Sequence, residues 1–198
     1  MAHPDLTLAA LVGSRICHDL ISPVGAIHNG LELIGMGGPI DTPELRLISD
    51  SVNNASARIK FFRVAFGVAS SEQMIGTSEI GKVINDSYRG GRHQADWQGV
   101  GDVPRAEVQA IYLGLLCLET ALPQGGMITV SGHAGRWTLA ATGPRIALDP
   151  DARAALDGAL PGGLRPAHVQ YALLPLCLEG LGSRLHLDQT DETLILRF

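Results

Sequence analysis

The sequence contains no lysine-rich run. Fifteen lysines and arginines stand against twenty acidic residues, for a net charge of −5. A binder of the phosphate backbone would lack the basic stripe that supplies most of its affinity, so nucleic acid is not an expected partner. Cysteine is scarce as well. Cys17, Cys117 and Cys177 form no C-x-x-C pair and have no histidine at zinc-ligand spacing, which excludes a structural zinc module and predicts no metal site. They read as small core residues of a protein kept in a reducing compartment. No apolar stretch approaches the roughly 18 residues of a membrane span. The first residues, Met1 to Leu11, carry a histidine and an aspartate where a secretory signal has lysine or arginine. A cytoplasmic protein without a membrane partner is expected.

What the chain does have is apolar periodicity. Hydrophobic residues make up 45% and charged residues 18%, with mean hydropathy +0.16, a surplus of the kind that ends in subunit interfaces. From Leu6 to Met36, residues Ile16, Leu20, Val24, Ile27, Leu31 and Ile34 recur at intervals of three and four, the seam of one helix. Gly35, Gly37, Gly38 and Pro39 stop it. Thr42 as N-cap, Pro43 in the first turn and Glu44 at the positive end of the dipole start another. Its seam is Leu45, Ile48, Val52, Ala55, Ile59, Phe62 and Phe66. A lone hairpin would leave about half of both seams wet. At about 1.5 to 3 kcal/mol per large aliphatic side chain, that forfeits upwards of about 10 kcal/mol, the scale of a whole domain's stability. The spacing therefore predicts a homodimer whose two hairpins form a four-helix bundle.

The texture changes near residue 75, which divides the chain into a helical-hairpin domain, 1–75, and a mixed domain, 76–198. A helix is expected over Thr77 to Tyr88, ended by Gly90-Gly91, then a short strand from His93 to Gln98. A strong helix follows over Pro104 to Leu122, with Val108, Ile111, Leu115, Leu118 and Leu122 on one face. Two hairpins are expected: Met127–His133 with Arg136–Thr142 across Ala134-Gly135, and Arg184–Asp188 with Thr193–Phe198. Between them runs an apolar helix, Arg165 to Leu181, interrupted or kinked at Pro175. Helices alternating with hairpins give an α+β fold, one sheet covered on one side.

His18 lies on the first helix opposite the seam. At about 100° per residue, Ser14, Arg15, Ser22, Gly25 and Asn29 share its azimuth, a strip of small and polar residues that leaves a partner room to reach the ring. On this strip Arg15, one turn away, is placed to pair with the oxygens of a phosphoryl group. Pro23 costs on the order of 3 kcal/mol inside a helix, and a bend beside a docking surface is a reason to tolerate it. A neutral imidazole, with an ordinary pKa near 6.5, is an available nucleophile. Asp19 would favour the tautomer that leaves the far nitrogen free. Because neighbouring helix positions do not face each other, it could equally act on the incoming partner.

The stretch SRICHDLISPVGAIHNGLEL resembles the H-box of histidine kinases and phosphotransferases, H-[DE]-L-x-x-P. Together with LGLLCLETALPQGGMITV and LAATGPR, it makes nearly the whole chain similar to the alphaproteobacterial ChpT family of histidine phosphotransferases. The resemblance implies that His18, with Asp19, receives a phosphoryl group from the receiver domain of a hybrid histidine kinase and passes it to response regulators. Any Mg2+ would come with the receiver's acidic pocket, and no resident cofactor is implied. The second domain resembles the α/β sandwich that binds ATP in histidine kinases, but in degenerate form. Leu118 stands near where that family has a magnesium-binding asparagine, and Ala141 to Arg145, ATGPR, replaces its adenine-binding D-x-G-x-G loop. Gly158, Gly162 and Gly163 match no phosphate-loop spacing. His28, His93, His133, His168 and His186 read as structural or solvated, and Arg58, Lys60 and Arg63 as a solvated basic face or a contact for an acidic receiver. Two rival readings stay open: an ATP-dependent, self-phosphorylating kinase, and a non-catalytic dimeric adaptor.

Overall fold

The structure, a computed structural model, describes residues 4–35, 43–68, 73–159 and 164–198. Two long helices, α1 (Pro4–Gly35) and α2 (Pro43–Ala65), form the expected hairpin. The expected stops at Gly37, Gly38 and Pro39 and the cap at Thr42 lie outside the described residues. Pro23 is accommodated without ending α1.

After the hairpin come β1 (Met74–Ile75), α3 (Thr77–Tyr88), β2 (His93–Gly99), β3 (Val103–Pro104) and α4 (Arg105–Ala121). The chain continues through β4 (Gly126–His133), β5 (Arg136–Thr142), α5 (Pro150–Leu156), a 3-10 turn (Pro166–His168), α6 (Val169–Gly180), β6 (His186–Gln189) and β7 (Thr193–Arg197). A five-stranded sheet has the order β2-β4-β5-β7-β6, with β2 parallel to β4 and the rest antiparallel. Alternation along the strands sends Ile128, Val130, Leu139, Leu194 and Leu196 beneath the helices, while Gln94, Asp96, Thr129, Ser131 and Thr138 lie on the more open face. Gly135, at φ +81°, makes the β4–β5 turn, and Gly114 lets α4 approach the sheet, since a Cβ there would come within 2.7 Å of Leu139.

The seam of α2 divides in two. Ala55 and Phe62 are buried, and Phe61, Phe62, Val64 and Ala65 join one hydrophobic core with the second domain. Phe61 stacks on Tyr112 of α4, centroids 4.3 Å apart, so the end of α2 is held by an aromatic contact as well as by burial. Leu45, Val52 and Ile59, seven residues apart, remain exposed, as do Ile21, Val24 and Leu31 on α1. One line of the heptad is thus filled within the chain and the other is open.

Candidate functional site

α1 presents the His18 ring to solvent, with 87% of its side chain exposed. Its Nδ1 lies 3.2 Å from Asp19 Oδ1. A carboxylate only accepts hydrogen bonds, so this contact selects the tautomer with the proton on Nδ1 and leaves the Nε2 lone pair open. The histidine and its neighbour therefore touch, although their Cβ directions diverge along the helix.

Asp19 itself is only 12% exposed. Its Oδ2 is buried and lies 3.1 Å from Arg15 Nη2, an ion pair outside hydrogen-bond alignment. Pro23 has no N–H to give the carbonyl of Asp19 one turn earlier, so that carbonyl loses its helical partner. Ser14, Ser22 and Asn29 are exposed as expected, and a Cβ on Gly25 would meet no heavy atom within 4 Å. Arg15 is a correction. It is buried, 8% exposed, and its Nη1 donates to the Ala167 carbonyl at 3.1 Å. Its guanidinium faces the second domain, not the phosphoryl group of a visitor.

A cleft of about 360 Å3 separates His18 from the second domain, with Asn54 and Arg58 on α2 and Tyr88, Arg89 and Glu119 among its other walls. Its floor is an ion pair. Arg58 Nη2 and Nη1 lie 3.0 and 3.4 Å from the two oxygens of Glu119, and Tyr88 Oη donates to the same carboxylate at 3.1 Å. Burial acts to raise the Glu119 pKa, but the charge and hydrogen bond of Arg58 outweigh it and hold the carboxyl below its ordinary range. Burial likewise acts to lower the pKa of Arg58, and Glu119 outweighs it in the other direction. Burial, reinforced by the charge of Glu119, pushes the Tyr88 phenol well up. Arg58 therefore leaves the basic face expected of it, whereas Lys60 and Arg63 are exposed. Sequence reasoning missed Glu119. Its signal was a single carboxylate within the apolar run GLLCLETA.

Three polar side chains of α4 are engaged within the chain. Glu107 accepts from Trp137 Nε1 at 2.7 Å and from Gly135 N at 2.8 Å. Gln109 donates to the carbonyls of Ala65 and Gly67 at the end of α2, and Glu119 holds Arg58. The helix has no asparagine, and Leu118 and Ala141 are fully buried. A second cleft, about 500 Å3, is lined by Thr120, Arg145, Asp149, Arg165 and His168 among others. Its carboxylate is occupied: Asp149 caps α5 through Asp151 N at 2.9 Å and pairs with Arg165 at 3.2 Å. Burial, then the Arg165 charge, lower the pKa of His168. Gly162 and Gly163 lie outside the described residues.

His93 is buried and bonded to the Leu122 carbonyl at 2.8 Å, and His28, His133 and His186 are exposed. Cys17 departs from expectation. It is exposed rather than a core residue, whereas Cys117 is buried. Among the described residues, no three His, Cys, Asp or Glu side chains gather as metal ligands, and no helix is long and apolar enough to cross a membrane.

Comparison with known proteins agrees with this architecture. Residues 77–193 match the family model described as the histidine phosphotransferase C-terminal domain. The protein phosphotransferase ChpT of Brucella abortus (strain 2308) is 36% identical over 197 residues, covering 96% of this chain and 94% of that protein. A bacterial phosphotransferase structure solved at 1.7 Å is 32% identical with a TM-score of 0.83, over 100% of this chain and 98% of that one. The histidine kinase ThkA, solved in complex with the response regulator protein TrrA, shares the fold at 11% identity and TM-score 0.50, over 98% of this chain and 62% of that one. The chain belongs to the histidine phosphotransferase family.

Proposed function

We propose that this protein is a homodimeric phosphocarrier between receiver domains that uses no ATP. The observation that carries the reading is the exposed His18 ring, tethered at Nδ1 by Asp19 and open at Nε2. In the forward step the Nε2 lone pair attacks the phosphorus of a receiver's aspartyl phosphate. The N–P bond forms as the P–O bond to the donor aspartate breaks, and that aspartate leaves as a carboxylate. The ring becomes cationic, and the Asp19 carboxylate 3.2 Å from Nδ1 stabilises it. In the onward step a carboxylate oxygen of the acceptor aspartate attacks the same phosphorus, and the neutral ring departs. No proton has to be delivered in either direction. The strip Ser14, Ser22, Gly25 and Asn29 gives the receiver its approach, and the receiver's acidic pocket brings the Mg2+ that neutralises the phosphoryl oxygens.

The dimer rests on the open line of Leu45, Val52 and Ile59 and the stripe Ile21, Val24 and Leu31, which a second hairpin covers as the other half of a four-helix bundle. The absence of ATP chemistry rests on the commitments of Glu107, Gln109, Glu119 and Asp149. A cytoplasmic setting agrees with three unpaired cysteines.

The test uses purified wild type and His18→Ala, each incubated with radiolabelled ATP alone and with a phosphorylated receiver. The expected result is label only from the receiver and only in the wild type. Label from ATP alone would make the protein a kinase, and receiver-to-receiver flux that survives His18→Ala would make it an adaptor.

A further inference from the structure

Arg15 is the one member of the polar strip that the structure turns inward, and its contacts form a continuous path. Nη2 lies 3.1 Å from Asp19 Oδ2, and Asp19 Oδ1 meets His18 Nδ1 at 3.2 Å. On the other side, Arg15 Nη1 donates at 3.1 Å to the carbonyl of Ala167, in the 3-10 turn ahead of α6. That carbonyl also accepts from Gln170 Nε2 at 2.8 Å, and Gln170, fully buried, donates in addition to Thr120 Oγ1 at 2.9 Å on α4. Every link from α4 to the histidine is a polar contact at 3.2 Å or less, and Arg15, Asp19 and Gln170 are shielded while His18 is not.

We propose that Arg15 is a positioning residue that anchors Asp19 to the second domain and so fixes the tautomer and orientation of the His18 ring. This rests on His18 as the phosphoacceptor and adds a task for the second domain, which then serves as the rigid body from which the acid is held. A guanidinium suits the task because its planar, rigid head donates to the Ala167 carbonyl through one nitrogen while holding the other beside the Asp19 carboxylate, whereas an ammonium is a point charge on a flexible stem. An untethered Asp19 carboxylate would be free to rotate towards water, leaving the ring to exchange tautomers.

The test measures nitrogen-15 shifts of the His18 ring in the free protein, alongside single-turnover transfer from a phosphorylated receiver. The variants are Arg15→Gln, Arg15→Lys and Gln170→Leu. Arg15→Gln is expected to move the ring nitrogens towards the averaged values of a free imidazole and to slow transfer about ten- to a hundredfold, the scale of a misplaced reacting group. Arg15→Lys should recover part of both. Gln170→Leu, which leaves the cleft untouched and removes the second donor to Ala167, should shift the ring in the same direction by less. A purely structural Arg15 would lower the melting temperature and leave the ring shifts where they are, and that result overturns the proposal. If Arg15→Gln does not fold, unchanged ring shifts in both Arg15→Lys and Gln170→Leu overturn it equally. The shifts are read without any receiver, so they stand or fall apart from the carrier function, which His18→Ala tests.

Discussion

Replacing Arg58 by methionine should be among the most damaging single changes at the domain junction. The thioether chain keeps its packing against the rings of Phe62 and Tyr88, which lie 5.9 and 6.0 Å from the guanidinium carbon. It leaves the Glu119 carboxylate, 12% exposed, with the Tyr88 hydroxyl as its remaining side-chain hydrogen-bond donor among the described residues. Removing one member of a buried ion pair costs about 3 to 5 kcal/mol, because the other charge stays desolvated. For a chain of this size each kcal/mol is worth about 2 to 4 °C, so the melting temperature should fall by about 6 to 20 °C. The double variant Arg58→Met/Glu119→Leu removes both charges and should regain most of the loss. Urea unfolding of the four proteins of this cycle, followed by circular dichroism, measures it. A cost below about 1 kcal/mol for Arg58→Met, the value of an exposed pair, would refute the reading of this contact as a buried clamp.

The same pair predicts the pH dependence. Because the folded-state pKa of Glu119 lies below its ordinary value, its contribution is complete above that ordinary value and is lost as the pH falls through the folded one. In that window the unfolded chain binds the extra proton. Wild type should lose stability on acidification below about pH 4.5 more steeply than Glu119→Gln, and parallel melting curves would contradict this. At the open seam, Ile59→Lys, which is 53% exposed in the single chain, should leave the protomer folded and convert the dimer to a monomer in light scattering. A monomeric wild type at the same concentration would contradict the paired-hairpin arrangement.

The outward orientation of His18 was legible because helical periodicity alone sets azimuth, and the ring lies on the open side as its spacing from Ile16, Leu20 and Ile27 required. Arg15 shared that azimuth within about two thirds of a right angle, and that margin was enough for the second domain to cover it. Rotation about a helix axis says nothing of what packs there from elsewhere in the chain. The same limit applies on α2: the seven-residue pattern was plain, but only the fold shows that Ala55 and Phe62 are filled from within while Val52 and Ile59 stay open. The main helices and both hairpins of the second domain followed from apolar runs and turn residues. The pair β1–β3, two residues each, and the seven-residue α5 are shorter than any period can reveal. Glu119 became a partner of Arg58 through a separation of 61 residues, which no local pattern encodes.

Phosphorus-31 and nitrogen-15 spectroscopy of the protein after charging by a phosphorylated receiver, kept at alkaline pH, tests the central claim most directly. One phosphoramidate signal per chain, coupled to His18 Nε2 and missing in His18→Ala, is the predicted result. Coupling to Nδ1, or a phosphoryl group on any other residue, would contradict the tethered ring on which the account depends.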